Sequence, residues 1–309
     1  MRPWFAGGVC VCVCVVGIGH PASAQRGPLQ DPVVREGVTE QISDHIYVIP
    51  DGGVPLVPNI TIIVGSRGVF VVDTGIGARN GEAVLREVAR IGSRPELYLA
   101  TTHVHPEHDL GAHAFPATTQ MIRSRDQVTE IAESGLQTAA RFAGFSPVVG
   151  EWLRGVEFRT ADVVFDREYE VDLGGVRVRV MAMGGNHTVG DTAFFVEPDR
   201  VLVSGDVVMS ALPGFGSPSS RLSTWLGSLD RFESLAPVRI VPSHGPMGDA
   251  TMIAGYRTFL TTVQARTVAL KREGKTLGET VAVVQDELQR TYDRNRMAGA
   301  IRAAFNEAP

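Results

Sequence analysis

Thr102-His103-Val104-His105-Pro106-Glu107-His108 places three imidazoles and one carboxylate within six residues. The stretch just before it, Leu97-Tyr98-Leu99-Ala100, reads as a short buried strand. The histidines therefore sit at a strand end and in the loop that follows. Such a cluster is a poor core. A buried imidazole needs a partner for each ring nitrogen, and neighbouring imidazoles repel when protonated. A divalent ion relieves both problems, because neutral imidazole is its common ligand.

Outward from this stretch, ligand-type residues recur at three more strand ends. They are Gly185-Asn186-His187-Thr188, Ser204-Gly205-Asp206 and Pro242-Ser243-His244-Gly245. Apolar β-like runs over 176–183, 201–203 and 238–241 precede them. Four successive strand ends thus deliver metal-type ligands to one edge of the sheets. His45 and His113 fit no such place and read as ordinary histidines.

The remaining chain supplies the frame. Strands are expected over 46–49, 60–64, 69–72, 163–165, 193–196 and 200–203, bounded by Gly, Pro, Asp or Asn. Val176-Arg177-Val178-Arg179-Val180 alternates as a half-buried antiparallel strand should. Helical spacing predicts helices over 81–91, 126–145 and 222–235. From about Thr251 the chain reads as helical, broken at Gly274 and Gly278. No repeat or low-complexity tract interrupts residues 25–309, which read as one α/β domain of two sheets with outer helices.

These motifs resemble the metallo-β-lactamase superfamily. The resemblance rests on Asp73 in Val72-Asp73-Thr74-Gly75, on the His-x-His-x-Glu-His stretch with Gly111 after it, and on His187-Thr188-Val189-Gly190-Asp191-Thr192. Ser204-Gly205-Asp206 and His244-Gly245 complete it. It implies a four-layer αβ/βα sandwich with two mixed sheets face to face and metals at one sheet edge. His103, His105 and His187 would hold one metal; Glu107, His108 and His244 would hold a second; Asp206 would bridge them. Asp73 would hydrogen-bond a ligand and orient it, and Asp191 would tie down the loop after His187. Two zinc ions are implied, with iron or manganese as alternatives. The family most often has aspartate where Glu107 stands. The extra methylene leaves Glu107 open to two roles, metal ligand or general base.

Composition narrows the setting. The 309 residues are 44% hydrophobic and 20% charged, with a net charge of −5. That balance excludes a disordered chain, and the absence of a basic run argues against a nucleic-acid partner. Residues 1–24 carry a single charge, Arg2, an apolar stretch and a terminal Ala22-Ser23-Ala24, the anatomy of a secretory signal peptide. Its apolar run is short for a membrane span. The expectation is export to the periplasm or beyond, with no stable membrane anchor after cleavage. Cys10, Cys12 and Cys14 all lie inside that segment. The remaining chain would have neither disulfide nor thiolate ligand, so metals must be held by imidazole and carboxylate.

The expected activity is hydrolysis of a small molecule at a carbonyl-type bond (lactone, ester, β-lactam or thioester) by a metal-bridging hydroxide, with Glu107 and Asp206 as catalytic carboxylates. β-Lactamases of the superfamily usually have cysteine or serine at the Asp206 position, and some have lysine where Met209 stands. A general hydrolase is therefore favoured over a dedicated β-lactamase. A mononuclear iron enzyme of sulfur compounds is the competing reading. Arg123, Arg125 and Arg221 are candidates for holding an anionic substrate group. Phe215, in a flap over 209–220, and Trp152 and Phe142 are candidates for lining a pocket. Arg257, Arg266, Lys271 and Arg272 read as a solvated helix face.

Overall fold

The computed structural model describes residues 30–92, 94–210 and 214–309. The expected signal peptide, residues 1–24, lies outside the described residues. Two mixed sheets carry the fold. The first has seven strands in sequence order: β1 (Glu40–Gln41), β2 (Ile46–Ile49), β3 (Ile60–Val64), β4 (Gly68–Val72), β5 (Glu96–Ala100), β6 (Gln120–Ser124) and β7 (Val163–Phe165). β1 to β4 pair antiparallel and β4 to β7 parallel. The second has five strands, β8 (Glu168–Asp172), β9 (Arg177–Gly184), β10 (Asp191–Glu197), β11 (Val201–Gly205) and β12 (Arg239–Pro242), antiparallel except for β11 beside β12.

Helices provide the crossovers and the outer layers. α1 (Gly77–Ile91) links parallel β4 and β5. α2 (Pro106–Asp109) carries the end of the histidine stretch. α3 (Arg125–Glu130), a π turn over Ile131–Gly135, and α4 (Leu136–Ala143) run on as one helical segment. α5 (Pro147–Trp152) follows, and α6 (Leu222–Ser234) links β11 and β12. The chain ends in α7 (Thr251–Arg272), α8 (Leu277–Leu288) and α9 (Arg294–Glu307).

Period-2 alternation explains the layers. Phe194 and Val196 of β10 pack in the central core with Ile46, Ile63, Phe70 and Val72 from the opposite sheet. Ala193 and Phe195, one residue out of phase, face outward with Trp225, Tyr256, Phe259 and Ile301 of the C-terminal helices. On the other side, Val84 and Val88 of α1 cover Ile62, Val71 and Leu99. Both faces of the central strands are covered, which is why these strands read as near-continuous apolar runs. The expected four-layer α/β sandwich is the observed one.

Some local expectations need correction. Gly278 does not break a helix; it lies in the first turn of α8, and the second break falls after Leu288. The helix expected over 126–145 starts at Arg125, where the Ser124 hydroxyl accepts from Gln127 N and caps it. No sequence pattern marks strands β1, β6 and β8 or helices α2 and α5. No helix among the described residues is long and apolar enough to cross a membrane.

Candidate metal centre

Every ligand candidate, and the orienting Asp73, comes after the C-terminal end of a strand. Asp73 follows β4, the 103–108 stretch follows β5, His187 follows β9, Asp206 follows β11 and His244 follows β12. Two backbone features aim them. Gly205 takes φ +60° at the end of β11, and a Cβ there would stand 3.0 Å from the Cβ of Thr102, so glycine lets the chain turn Asp206 inward against the histidine loop. Asp73 itself takes φ +68°. A non-glycine residue there is strained, and such strain clusters at functional sites.

The imidazoles converge. The His103 ring centre lies 4.1 Å from His108, 4.6 Å from His105 and 4.9 Å from His187, and His108 lies 5.2 Å from His244. Their ligand atoms form three groups, each within 4.8 Å: His103, His105 and His187; His103, His108 and Asp206; Glu107, His108 and His244. Asp206 sits between the other two groups, with Oδ2 3.5 Å from His187 Nε2. Glu107 Oε1 is 3.8 Å from His108 Nε2.

The nitrogens turned away from the centre are held. His108 Nδ1 reaches Asp73 Oδ2 at 2.9 Å, and His103 Nδ1 lies 3.0 Å from the Thr102 hydroxyl, which bonds the same Asp73 oxygen. His187 Nδ1 reaches Gly214 O at 2.5 Å and His244 Nδ1 reaches Val57 O at 3.0 Å. A donated Nδ1–H leaves the other nitrogen free as a ligand. Asp191 accepts from His187 N at 2.6 Å and from Thr188 N and Oγ1, so it ties down the turn after β9.

The donor set fits divalent ions. Glu107 Oε2, His108 Nε2 and Asp206 Oδ1 are buried, face this centre and have no hydrogen-bond partner. A buried polar atom left so costs ~1–3 kcal/mol, and more when charged, a penalty that cations at the centre remove. Burial and the surrounding imidazoles hold His103 and His105 well below the usual imidazole range, in the neutral ligand form. Burial would also lower His108, but Asp73, Glu107 and Asp206 raise it to about 9. Burial would raise Asp206, but four imidazoles outweigh it and hold the carboxyl below its usual range. Burial pushes the Glu107 carboxyl up. Three carboxylates in one dry site carry a negative charge that a proton or a metal can balance.

The residues expected to touch substrate fare differently. Arg123 is a correction: it is 1% exposed and its guanidinium is paired with both oxygens of Asp109, with Thr101 and Gln127 completing the network. It braces the histidine loop from below and offers nothing to substrate. Arg125 pairs on the surface with Asp166. Phe215 packs on Trp225 at 4.5 Å and, with Arg221, lines a cavity of about 550 Å³ beside α9. That cavity does not include a candidate ligand. Trp152 stacks under Arg79, whereas Phe142 does face the site, its ring 5.1 Å from His105. Residues 211–213 of the expected flap lie outside the described residues. His45 pairs with Asp199 and His113 is exposed. Arg257 and Arg266 pair with surface carboxylates and Lys271 ties α7 to the end of α9.

The sequence reading missed the cavity beside the site. About 320 Å³ in volume, it is walled by Val104, His105, Thr188, the 216–218 turn and one face of the α3–α4 segment. Its walls come from stretches far apart in the chain, so no local signal marks it.

Comparison with known proteins agrees with this geometry. The family model described as metallo-beta-lactamase superfamily matches residues 53–244. The chain belongs to the metallo-beta-lactamase superfamily. The expectation of a metal-dependent hydrolase of that superfamily stands with it. A human member named acyl-coenzyme A thioesterase MBLAC2 is 26% identical over 215 residues, covering 60% of this chain and 72% of that protein. A linear primary-alkylsulfatase from Pseudomonas sp. is 23% identical over 217 residues, covering 60% of this chain and 40% of that protein. Among solved structures, the sec-alkylsulfatase Pisa1 from Pseudomonas sp. superposes with a TM-score of 0.69 at 16% identity, covering 87% of this chain and 49% of that one. A metallo-beta-lactamase family protein from Thermus thermophilus superposes with a TM-score of 0.62 at 21% identity, covering 85% and 93%. Those two superpositions speak for the shared superfamily fold.

Proposed function

We propose that this member of the superfamily is an exported dinuclear hydrolase acting on an ester-type bond of a small molecule, with thioesters the first class to test. The observation that carries it is the set of orphaned buried atoms on Glu107, His108 and Asp206, facing three imidazoles of a neighbouring group. His103, His105 and His187 are assigned to one ion, Glu107, His108 and His244 to the other, and Asp206 to the position between them. Zinc is the ion proposed, because imidazole and carboxylate are its usual ligands when no thiolate is present. Bound divalent ions would lower the pKa of water toward about 7 and polarise the scissile group.

The chain's own residues prepare that chemistry. Asp73 fixes the His108 ring directly and the His103 ring through Thr102. Gly214 O and Val57 O do the same for His187 and His244. Phe142 keeps one side of His105 dry. Asp206 stays ionised among the imidazoles, as a ligand between two cations must. The longer side chain of Glu107 still brings its carboxylate within 3.8 Å of His108 Nε2, which supports the ligand role over that of a separate base. Thioesters come first because the human relative is named a thioesterase; sulfate esters follow from the alkylsulfatase relative.

The test is metal analysis of the purified protein with a panel of thioester, ester, lactone, β-lactam and alkyl sulfate substrates. About two zinc ions per chain and chelator-sensitive turnover of a thioester or ester are expected. A single bound iron with thiol-dependent oxygen uptake, or no hydrolysis with zinc or manganese, would overturn the proposal. Export is checked by the N-terminal residue of protein recovered from periplasm or medium, expected at Gln25.

A further inference from the structure

The cavity beside His105 has a wall built from one helical segment. Glu130, Ser134, Gln137, Thr138 and Arg141 line it, from the end of α3, across the π turn, to the last turn of α4. A π turn inserted in an α-helix is rare and frequent at functional sites. Here it keeps a polar face directed at the cavity past Gly135, which packs closely on the Phe158 ring.

Two charged side chains line this wall, and one of them is committed. Glu130 is largely buried and its Oε2 accepts from Gly190 N at 2.8 Å, holding the turn that follows His187. Arg141 is different. It is exposed to the cavity, and no carboxylate lies within ion-pair distance among the described residues. Its guanidinium carbon stands over the Phe142 ring, 5.7 Å from the centre, and that ring is 5.1 Å from the His105 ring. The two contacts in series bound the guanidinium within about 10.8 Å of a candidate metal ligand. Arginine stacked on an aromatic ring keeps its donor edges free and oriented. A planar fork so placed suits a carboxylate or similar anion bidentately.

We propose that Arg141 is a specificity-determining residue that binds an anionic group on the acyl side of the substrate, so that the enzyme prefers ester or thioester substrates whose acyl chain ends in a carboxylate. The proposal rests on the hydrolase reading above. It narrows that reading to a substrate class with a short polar acyl chain, in keeping with the Ser134, Gln137 and Thr138 side chains along the wall. Arg141 is assigned to the remote end of the substrate and not to the bond that breaks.

The experiment compares the zinc-loaded enzyme with Arg141→Ala and Arg141→Lys on 4-nitrophenyl half-esters of succinic, glutaric and adipic acid, beside uncharged 4-nitrophenyl butyrate and pentanoate. Wild type is expected to favour a half-ester by kcat/KM. Arg141→Ala should raise KM for the half-esters about five- to tenfold, the scale of one partly exposed charge-assisted contact, with kcat and the uncharged esters unchanged. Arg141→Lys should recover part of the loss. Equal effects on charged and uncharged esters, or no change in KM for the half-esters, would overturn it. Glutarate binding by calorimetry gives a readout independent of turnover: wild type should bind it and Arg141→Ala should bind it at least about fivefold more weakly. Equal binding, or none to wild type, overturns the inference even if every ester is inert, an outcome that would instead tell against the hydrolase reading.

Discussion

The carboxylate of Asp73 spans two strand ends: Oδ2 meets His108 Nδ1 at 2.9 Å while Oδ1 accepts the Thr102 N–H at 2.7 Å. One acid thus sets the orientation of a candidate ligand in the second group and, through Thr102, of His103 in the first. Its left-handed backbone, φ +68°, is the conformation that brings it there.

Asp73→Asn should therefore weaken both metal sites while leaving every assigned ligand in place. Loss of such an orienting carboxylate typically lowers metal affinity about 10–100-fold. Competition with a chromophoric chelator measures it. Affinity unchanged for both equivalents would show that the rings are oriented by something else.

Glu107→Asp shortens the side chain by one methylene, about 1.5 Å, and draws back a carboxylate whose Oε2 is buried with no hydrogen-bond partner. The second zinc equivalent should weaken by about tenfold or more while the first is retained. Titration monitored by calorimetry separates the two. Unchanged stoichiometry with reduced turnover would move Glu107 from ligand to proton carrier.

The Arg123–Asp109 pair is fully buried. Removing one partner strands the other charge, which costs ~3–5 kcal/mol, whereas removing both is far milder. Arg123→Met should lower the denaturation midpoint strongly, and adding Asp109→Leu should restore much of it. Urea unfolding at saturating zinc tests this, and equal destabilisation by the single and double variants would contradict the pairing.

Asp199 supplies a pH-dependent contribution away from the candidate metal centre. Its side chain is 4% exposed, and burial would raise its carboxyl. Contacts from His45, whose backbone N lies 3.4 Å and ring Nδ1 2.8 Å from the two carboxylate oxygens, help to outweigh that and lower it. A carboxyl lowered in the folded state binds fewer protons than the unfolded chain near its ordinary value. Its stabilisation is present above about pH 4 and is lost as pH falls through the lowered folded value. Thermal melts between pH 6 and pH 3 should fall more steeply for the parent than for Asp199→Asn. Parallel curves would remove Asp199 from the account.

Much of the fold and nearly all of the candidate site were legible because the signals are local. The run 60–64 is apolar on both faces, and a ligand at a strand end follows its strand directly in the sequence. What stayed hidden depends on distant partners. β6 contains Arg123, and a lone arginine in sequence looks solvated; Asp109, which neutralises it in the interior, is fourteen residues earlier on another element. β8, Glu168-Tyr169-Glu170-Val171-Asp172, reads as loop because it is an edge strand whose acids face water. Phe215 looked like a lid residue, yet Trp225 gives it a more favourable place against the C-terminal helices.

The 214–220 segment does two jobs at once. Its Gly214 carbonyl steadies the His187 ring, Gly216 N bonds His187 O, and Ser217 and Pro218 form the cavity rim. At Gly216 a Cβ would come within 2.8 Å of His187 O, so glycine is what lets the rim run this close to the His187 backbone. With an ion held at His187 as proposed, its loading and the admission of a guest would be linked equilibria: a compound that displaces this rim would alter cation retention by the same factor that the cation alters the compound's own affinity.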